Sequence, residues 1–308
     1  MKLKKESPLM TKVRNNVPLV FMSLPALAYV FAFAYLPMFG VVIAFKDYNY
    51  VDGIIGSPWA GLKYFEYFFK SDAAAVILRN TILYNVAFII LGTLLNIIVA
   101  LLLYEITSKT LLKVYQTSII LPNFISWVLV AYIGYALFSN DNGLFNAFRA
   151  SFGAKAIPWY STPKYWPYIL AFFHFWKGTG MGCIIYYACL MGVDHSLYEA
   201  AELDGANRFK QIIHISIPSI MPTICILLIM SVAGILGGDF GLFFQVPRNS
   251  GALYPVTDVI STYTYRGLQA GNMSSTAAIG LFQNVVGLIL TLGTNLFIKK
   301  VNPENALF

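Results

Sequence analysis

Lys177 is a charged side chain in the middle of an apolar stretch, beside His174, Trp176 and the run Gly178-Thr179-Gly180. Leaving such groups against lipid is costly, so they mark polar paths, cavities or partners between helices. The glycines would let the helix loosen and turn backbone polar groups toward a cavity. Other apolar stretches carry Tyr84 and Asn85, then Asn123 and Trp127 one helical turn apart after Pro122. Ser231, the run Gly237-Gly238-Asp239, and Gln283 with Asn284 complete the set. Together they offer the donors and acceptors that hydroxyls need and the aromatic faces on which a pyranose ring stacks, which suits a sugar. The alternative is that they hydrogen-bond neighbouring helices and hold the bundle together. Lys177 and His174 would welcome an anionic sugar such as a uronate, yet lysine also bonds neutral hydroxyls.

Catalysis has little support. The sequence contains no Gly-x-x-x-x-Gly-Lys-Ser/Thr phosphate loop, so ATP, if used, is bound by another chain. It has no H-E-x-x-H, Gly-x-Ser-x-Gly or histidine-cysteine cluster, and His174, His195 and His214 are scattered. Neither a catalytic residue nor a metal site is expected. Cys183, Cys189 and Cys225 read as buried thiols within apolar segments.

The longest polar interruption of the second half runs from Glu199 to Pro218. Ser196 followed by Glu199 is a capping box, which predicts a helix starting there and running through Ala200 and Ala201 toward Asp204. Gly205 can close that helix in the left-handed conformation. Asn207 can cap a second helix with Phe209, Ile212, Ile213 and Ser216 on one side, and Pro218 should stop it.

The elements that must position these groups are membrane helices. Of 308 residues 58% are hydrophobic, 16% aromatic and only 11% charged, against about a quarter charged in soluble domains. The net charge of +7 fits lysine and arginine at cytoplasmic membrane edges, so nucleic acid is not an expected partner. Lys2, Lys4, Lys5, Lys12 and Arg14 precede an apolar run from Val17 to Phe45, too long for a signal peptide, with Pro37 placed to kink it. Further spans are expected at 77–104, 112–138, 166–190, 219–239 and 276–298. Basic residues are about twofold denser on the side bearing the termini, which places both termini and the loop 191–218 in the cytoplasm. The expected organisation is a tail 1–16, a six-helix domain 17–298 and a tail 299–308. On the outer side Gly61 to Phe69 predicts an aromatic interfacial helix, and Asn142 to Asn146 a turn into another short helix. Trp159, Tyr160, Tyr165, Trp166 and Tyr168 predict an aromatic belt.

The loop also carries a resemblance. Glu199-Ala200-Ala201, then Gly205 after three residues, then Ile215 after nine more and Pro218, resembles the EAA loop of permease subunits of ATP-binding-cassette importers. Ile217 stands where that pattern usually has leucine, a volume-conserving change. The chain as a whole is similar to binding-protein-dependent carbohydrate permeases of the maltose and glycerol-3-phosphate type. Asp239 to Asn249 is similar to a branch for polysaccharides or complex oligosaccharides. The resemblance implies an all-α, six-helix type I importer permease in the cell membrane, paired with a second, different permease. It implies two cytoplasmic ATPase subunits carrying ATP and Mg on the EAA loops, and an extracytoplasmic solute-binding protein. A permease for a non-sugar solute would share the docking loop. A secondary transporter would need intramembrane carboxylates, of which only Asp239 lies near a span.

Overall fold

The computed structural model describes residues 16–301 and 303. The basic N-terminal residues Lys2 to Arg14 and most of the two expected tails lie outside them. Among the described residues the chain is helical, with no β-strand and one isolated bridge between Lys46 and Trp59. The principal helices are α1 Val17–Val30, α2 Lys63–Lys70, α3 Asp72–Tyr104, α4 Lys109–Ile120, α5 Trp127–Phe138, α6 Leu144–Ser151 and α7 Trp166–Met191. They continue with α8 His195–Leu203, α9 Arg208–Gln211, α10 Ile217–Ala233, α11 Phe240–Gln245, α12 Ile260–Gln269 and α13 Met273–Val301.

Among the described residues four helical runs are long and apolar enough to cross a membrane: Phe21–Phe45, Asp72–Tyr104, Arg208–Ala233 and Met273–Lys300. The pair Lys109–Phe124 and Trp127–Phe138, bent by 96°, makes a fifth if it is one span. A count of six requires α7 as well. It has 26 residues, enough to cross about 30 Å, but His174, Lys177 and three glycines dilute its apolar character.

The expected span at 112–138 is therefore broken. Pro122 sits in a 3-10 turn, Leu121–Phe124, and Ser126 caps α5 by accepting from the Leu129 N–H at 3.3 Å. Proline removes a helical donor, and the capping serine gives the chain a new helix start. The first span leaves α geometry earlier than Pro37, through a π-helical turn Phe31–Tyr35 into a 3-10 stretch Leu36–Phe45. The fifth begins at Arg208 and ends at Ala233, so Asp239 lies beyond it and caps α11.

Pro218 does not stop a helix. Its chain runs unbroken from α9 through a π-helical turn, Ile212–Ser216, into α10. In that turn the Ile217 N–H reaches back to the Ile212 carbonyl, and the wider register leads into a helix start where proline's missing donor matters least.

Three apolar clusters hold the bundle. One joins Phe88 of α3, Val130 of α5, Trp166, Leu170 and Phe173 of α7, and Leu242, Phe243 and Val246 around α11. A second joins Ala100, Leu103, Cys183, Tyr186, Leu190, Ile220 and Ile224 at the α8 end of the bundle. A third gathers Phe68, Ala74, Ile77, Leu236, Ile260 and Ile279. The expected helices at 61–69 and after Asn142 are present as α2 and α6. The belt is not: Trp166 is fully buried and donates its indole N–H to the Trp159 carbonyl at 2.7 Å, and Trp159 donates to Asn146 Oδ1 at 3.1 Å. Of those five rings only Tyr168 is exposed, because buried indole N–H groups find partners inside the fold.

Candidate functional site

The loop after α7 is built as two helices around a corner. α8 is capped by Asp194, whose carboxylate accepts the Ser196 N–H at 3.0 Å, two residues earlier than the box expected from Ser196 and Glu199. Those hydrogen bonds hold Asp194 below the usual carboxylate range. Glu199 instead meets His195 Nδ1 at 3.2 Å on the exposed face, one turn away, because Asp194 has already taken the capping position. The C-terminus closes as expected at Gly205, φ 76°. Its N–H bonds to the Glu202 carbonyl at 3.1 Å and the Ala206 N–H to the Ala201 carbonyl at 2.8 Å, a Schellman closure. Asn207 then caps α9 through the Lys210 N–H at 2.9 Å.

Behind this corner the loop is fastened to the bundle. Buried Tyr198 shares a 2.9 Å hydroxyl hydrogen bond with Ser216, and buried Gln211 donates to the Ala206 carbonyl at 3.3 Å. Glu199, Ala200, Asp204, Gly205 and Pro218 face outward, while Ala201 and Ile215 are half-buried. Two large apolar side chains flank the corner with little cover: Leu203 is 90% exposed and Phe209 69%. A rigid, polar-edged corner with two apolar prongs is suited to inserting into a cleft of another protein.

The polar membrane residues fall into separate groups. Lys177 donates to the Asn123 carbonyl at 2.6 Å and lies 5.3 Å from the Trp127 ring centroid, so three of them meet at the break before α5. Asn123 and Trp127 straddle that break and are not one turn apart on a single helix as expected. Asp239, whose carboxylate accepts the Leu242 N–H at 3.2 Å, is within electrostatic reach of both Lys177 and Trp127. His174 and Ser231 line a different cleft of about 240 Å³, with Asn85, Thr93, Asn96 and Thr179. There the His174 ring stacks on Phe88 at 3.8 Å, and the Asn96 carbonyl oxygen has no hydrogen-bond partner among the described residues.

Trp176 joins neither group but packs against the first apolar cluster, 6.3 Å from Phe173. Gln283 is half-buried near Gly237, and Asn284 is exposed and donates to the Gly280 carbonyl at 2.8 Å. The glycines of α7 do not loosen it. α7 is one helix, and Gly180 and Gly182 instead allow the Ile119 backbone and the Asn96 side chain to approach it closely.

Sequence reasoning missed Thr93 and Asn96, two polar residues in an apolar run, and the pair Arg248-Asn249. For the pair the signal was the turn-forming run Pro247-Arg248-Asn249-Ser250.

Comparison with known proteins bears on both the loop and the bundle. The family described as binding-protein-dependent transport system inner membrane component matches residues 89–303. The chain is 35% identical over 296 residues to protein LplB of Bacillus subtilis (strain 168), covering 96% of this chain and 92% of LplB. It is 34% identical over 304 residues to the polygalacturonan/rhamnogalacturonan transport system permease protein YteP of the same organism, covering 98% and 94%. It is similar to a chain in the crystal structure of a bacterial ABC transporter involved in the import of the acidic polysaccharide alginate. That likeness has a TM-score of 0.87 at 31% identity over 96% of this chain and 99% of the other. The bacterial alginate ABC transporter in complex with an alginate pentasaccharide-bound periplasmic protein gives 0.86 at 31%, over 95% and 98%. An apolar helical bundle and a match over most of its length agree, and the chain belongs to the binding-protein-dependent transport system inner membrane components.

Proposed function

We propose that this chain is a permease subunit of an ATP-binding-cassette importer for oligosaccharides or polysaccharides, and that the corner at Gly205 couples it to a separate ATPase. The observation that carries the coupling is the closed, fastened corner with Leu203 and Phe209 bare on either side of it. An isolated membrane chain gains nothing from two large apolar prongs on a polar loop; a docked subunit covers them.

In this reading residues 17–298 form the membrane domain in the cell membrane, with the tails 1–16 and 299–308 and the loop 191–218 in the cytoplasm. A second, dissimilar permease completes the pathway, and an extracytoplasmic binding protein delivers the sugar. Two ATPase subunits bind ATP and Mg. Their closure pushes the α8 corner, and Tyr198–Ser216 passes the displacement to the continuous run α9–α10. The bundle thereby rocks between two states, biased by a ligand bound on another chain. The pathway is lined by the Lys177, Asn123, Trp127 and Asp239 group and by the His174 and Ser231 cleft, with Gln283 beside them. These groups supply paired donors, acceptors and aromatic faces for hydroxyls and pyranose rings. The substrates named for YteP and the alginate transporter support the saccharide class.

Binding-protein-dependent uptake of labelled oligosaccharides into proteoliposomes carrying the whole complex tests the reading. Uptake that needs both ATP and the binding protein is expected. Uptake driven by a proton or sodium gradient without ATP would contradict it.

A further inference from the structure

The cavities outside the coupling corner differ in how their cations are met. One, of about 750 Å³, lies between the segment after α1 and α12. There Lys63 Nζ is 3.1 Å from Asp47 Oδ2, and Arg266 is 2.5 Å from Asp258 Oδ2. Each cation already has its carboxylate, which leaves little net attraction for an anion. A second cavity, about 350 Å³, runs along α5 past Tyr132 and Tyr135 to Phe244, Gln245, Arg248 and Asn249. Here the cation is unpaired. Arg248 is exposed, its guanidinium carbon is 4.2 Å from the Tyr135 ring centroid, and it has no carboxylate within 4 Å among the described residues.

The backbone holds Arg248 there against its preference. After α11 the Arg248 N–H bonds to the Gln245 carbonyl and the Asn249 N–H to the Phe244 carbonyl, both at 3.0 Å. This is the pair of bonds that Gly205 and Ala206 make after α8. Where the first closure has glycine, this one has arginine, at φ 55°, followed by Asn249 at φ 48°. A bulky residue in that region is strained and persists only where its surroundings fix it. Those surroundings are present: Asn249 Oδ1 accepts from the Tyr254 hydroxyl at 3.1 Å and from Arg266 at 3.4 Å, and the Ser250 hydroxyl donates to the Tyr160 carbonyl at 3.0 Å. Glycine would close the helix without strain. Chain geometry therefore gives no reason for arginine at this position, whereas a charge held over a ring beside a cavity does.

We infer that Arg248, seated on Tyr135, is a subsite for the carboxylate of a uronic-acid residue in the transported saccharide. The inference rests on the saccharide reading above and adds the charge of the substrate to it. The planar guanidinium matches a carboxylate with two parallel hydrogen bonds, and a less hydrated cation stacked on a ring surrenders little on binding. Tyr132 offers a neighbouring face for the sugar ring. Trp127 and Tyr135 are eight residues apart on α5, so this subsite lies about 12 Å along the helix from the Lys177 group. It stands at the end of α5 away from the break.

The test uses the complete reconstituted complex with its binding protein and two probes, a galacturonate tetrasaccharide and its carboxyl-reduced, neutral counterpart. Arg248→Asn removes the charge but keeps a residue that tolerates left-handed backbone. The ratio of acidic to neutral uptake is expected to fall about tenfold or more, the scale of one charge-assisted hydrogen bond. Thermal stability should be kept or raised, and Arg248→Lys should restore part of the ratio. An unchanged ratio, an equal fall for both probes, or a loss of thermal stability in Arg248→Asn overturns the subsite. Wild-type uptake of the neutral probe alone overturns the subsite and leaves the saccharide reading standing. Uptake of neither probe by a complex that retains its ATPases removes both.

Discussion

The Lys177 ammonium donates a 2.6 Å hydrogen bond to the Asn123 carbonyl oxygen, across the corner where Lys109–Phe124 turns by 96° into α5. Carbonyls at a helix break lose their intrahelical donors, and an unmet carbonyl in an apolar bundle is costly. A lysine from α7 supplies the donor, and Trp127 on the far side of the break holds the cation over its ring. The same contact thus fixes the bend of one helix and sets a positive charge beside the proposed pathway.

Lys177→Met keeps the length of the side chain and removes the donor. An unmet acceptor at the corner is expected to cost about 1–3 kcal/mol, seen as a lower unfolding temperature of the purified complex, together with reduced sugar uptake. Subunit assembly should be unchanged. Normal uptake and unchanged stability together would remove Lys177 from the pathway.

Gly205→Pro forces φ from 76° to about −65° and removes the N–H that bonds Glu202. Membrane insertion should persist while ATPase co-purification and transport are lost. Gly205→Asn, which adopts the left-handed region readily, should keep most coupling. If the proline variant still co-purifies the ATPase, the corner is not the docking element.

Tyr198→Phe breaks the buried hydroxyl contact with Ser216 and leaves the docking surface intact. A loss of about 1 kcal/mol is expected from one buried hydrogen bond. The diagnostic result is retained ATPase binding with weakened stimulation, read by comparing co-purification with sugar-dependent turnover. Equal loss of both would make Tyr198 part of the docking surface itself.

Much of this arrangement was legible in the sequence. The corner was, because glycine and asparagine at fixed offsets have local conformational consequences that hold whatever surrounds them. The helix start one residue before Ser196 was not, since Asp194 and Ser196 both cap well and tertiary packing of Tyr198 selects between them. The break at Pro122 was visible as a proline, but the 96° bend and the lysine that meets its Asn123 carbonyl from 54 positions away are tertiary features. The α7 glycines were misread for a related reason: local sequence shows that a helix can loosen, and only the packing shows Ile119 pressed against Gly180. Arg248 was hidden most completely, because a charged residue after a proline in a loop looks like any solvated turn.

Gly180→Ala places a methyl group against the Ile119 backbone, which cannot give way as a flexible side chain would. Overpacking of about 1–3 kcal/mol is expected, with a lower unfolding temperature and α4 pushed off α7. A cysteine cross-link between α4 and α7 should then form more slowly; an unaltered rate and stability would contradict this packing.

Acid should release the α8 cap. Asp194 is held below its ordinary value near 3.8 by hydrogen bonds from Ser196, so its stabilising contribution is present above that value and is lost as pH falls through the lower, folded one. ATPase co-purification is expected to be insensitive to Asp194→Asn near neutral pH, since the amide oxygen still accepts. In Asp194→Ala it should be weakened at every pH above about 4.

In the proposed coupling, sugar delivered on one side of the membrane is sensed by an ATPase on the other through the corner at Gly205. The most direct measurement is ATP turnover in proteoliposomes carrying the membrane subunits, with the ATPase subunits supplied in excess and the binding protein sugar-loaded or sugar-free, for wild type and for Gly205→Pro. Loaded binding protein is expected to stimulate turnover several-fold with wild type and to leave the supplied ATPase at its basal rate with Gly205→Pro. Equal stimulation of both would contradict it.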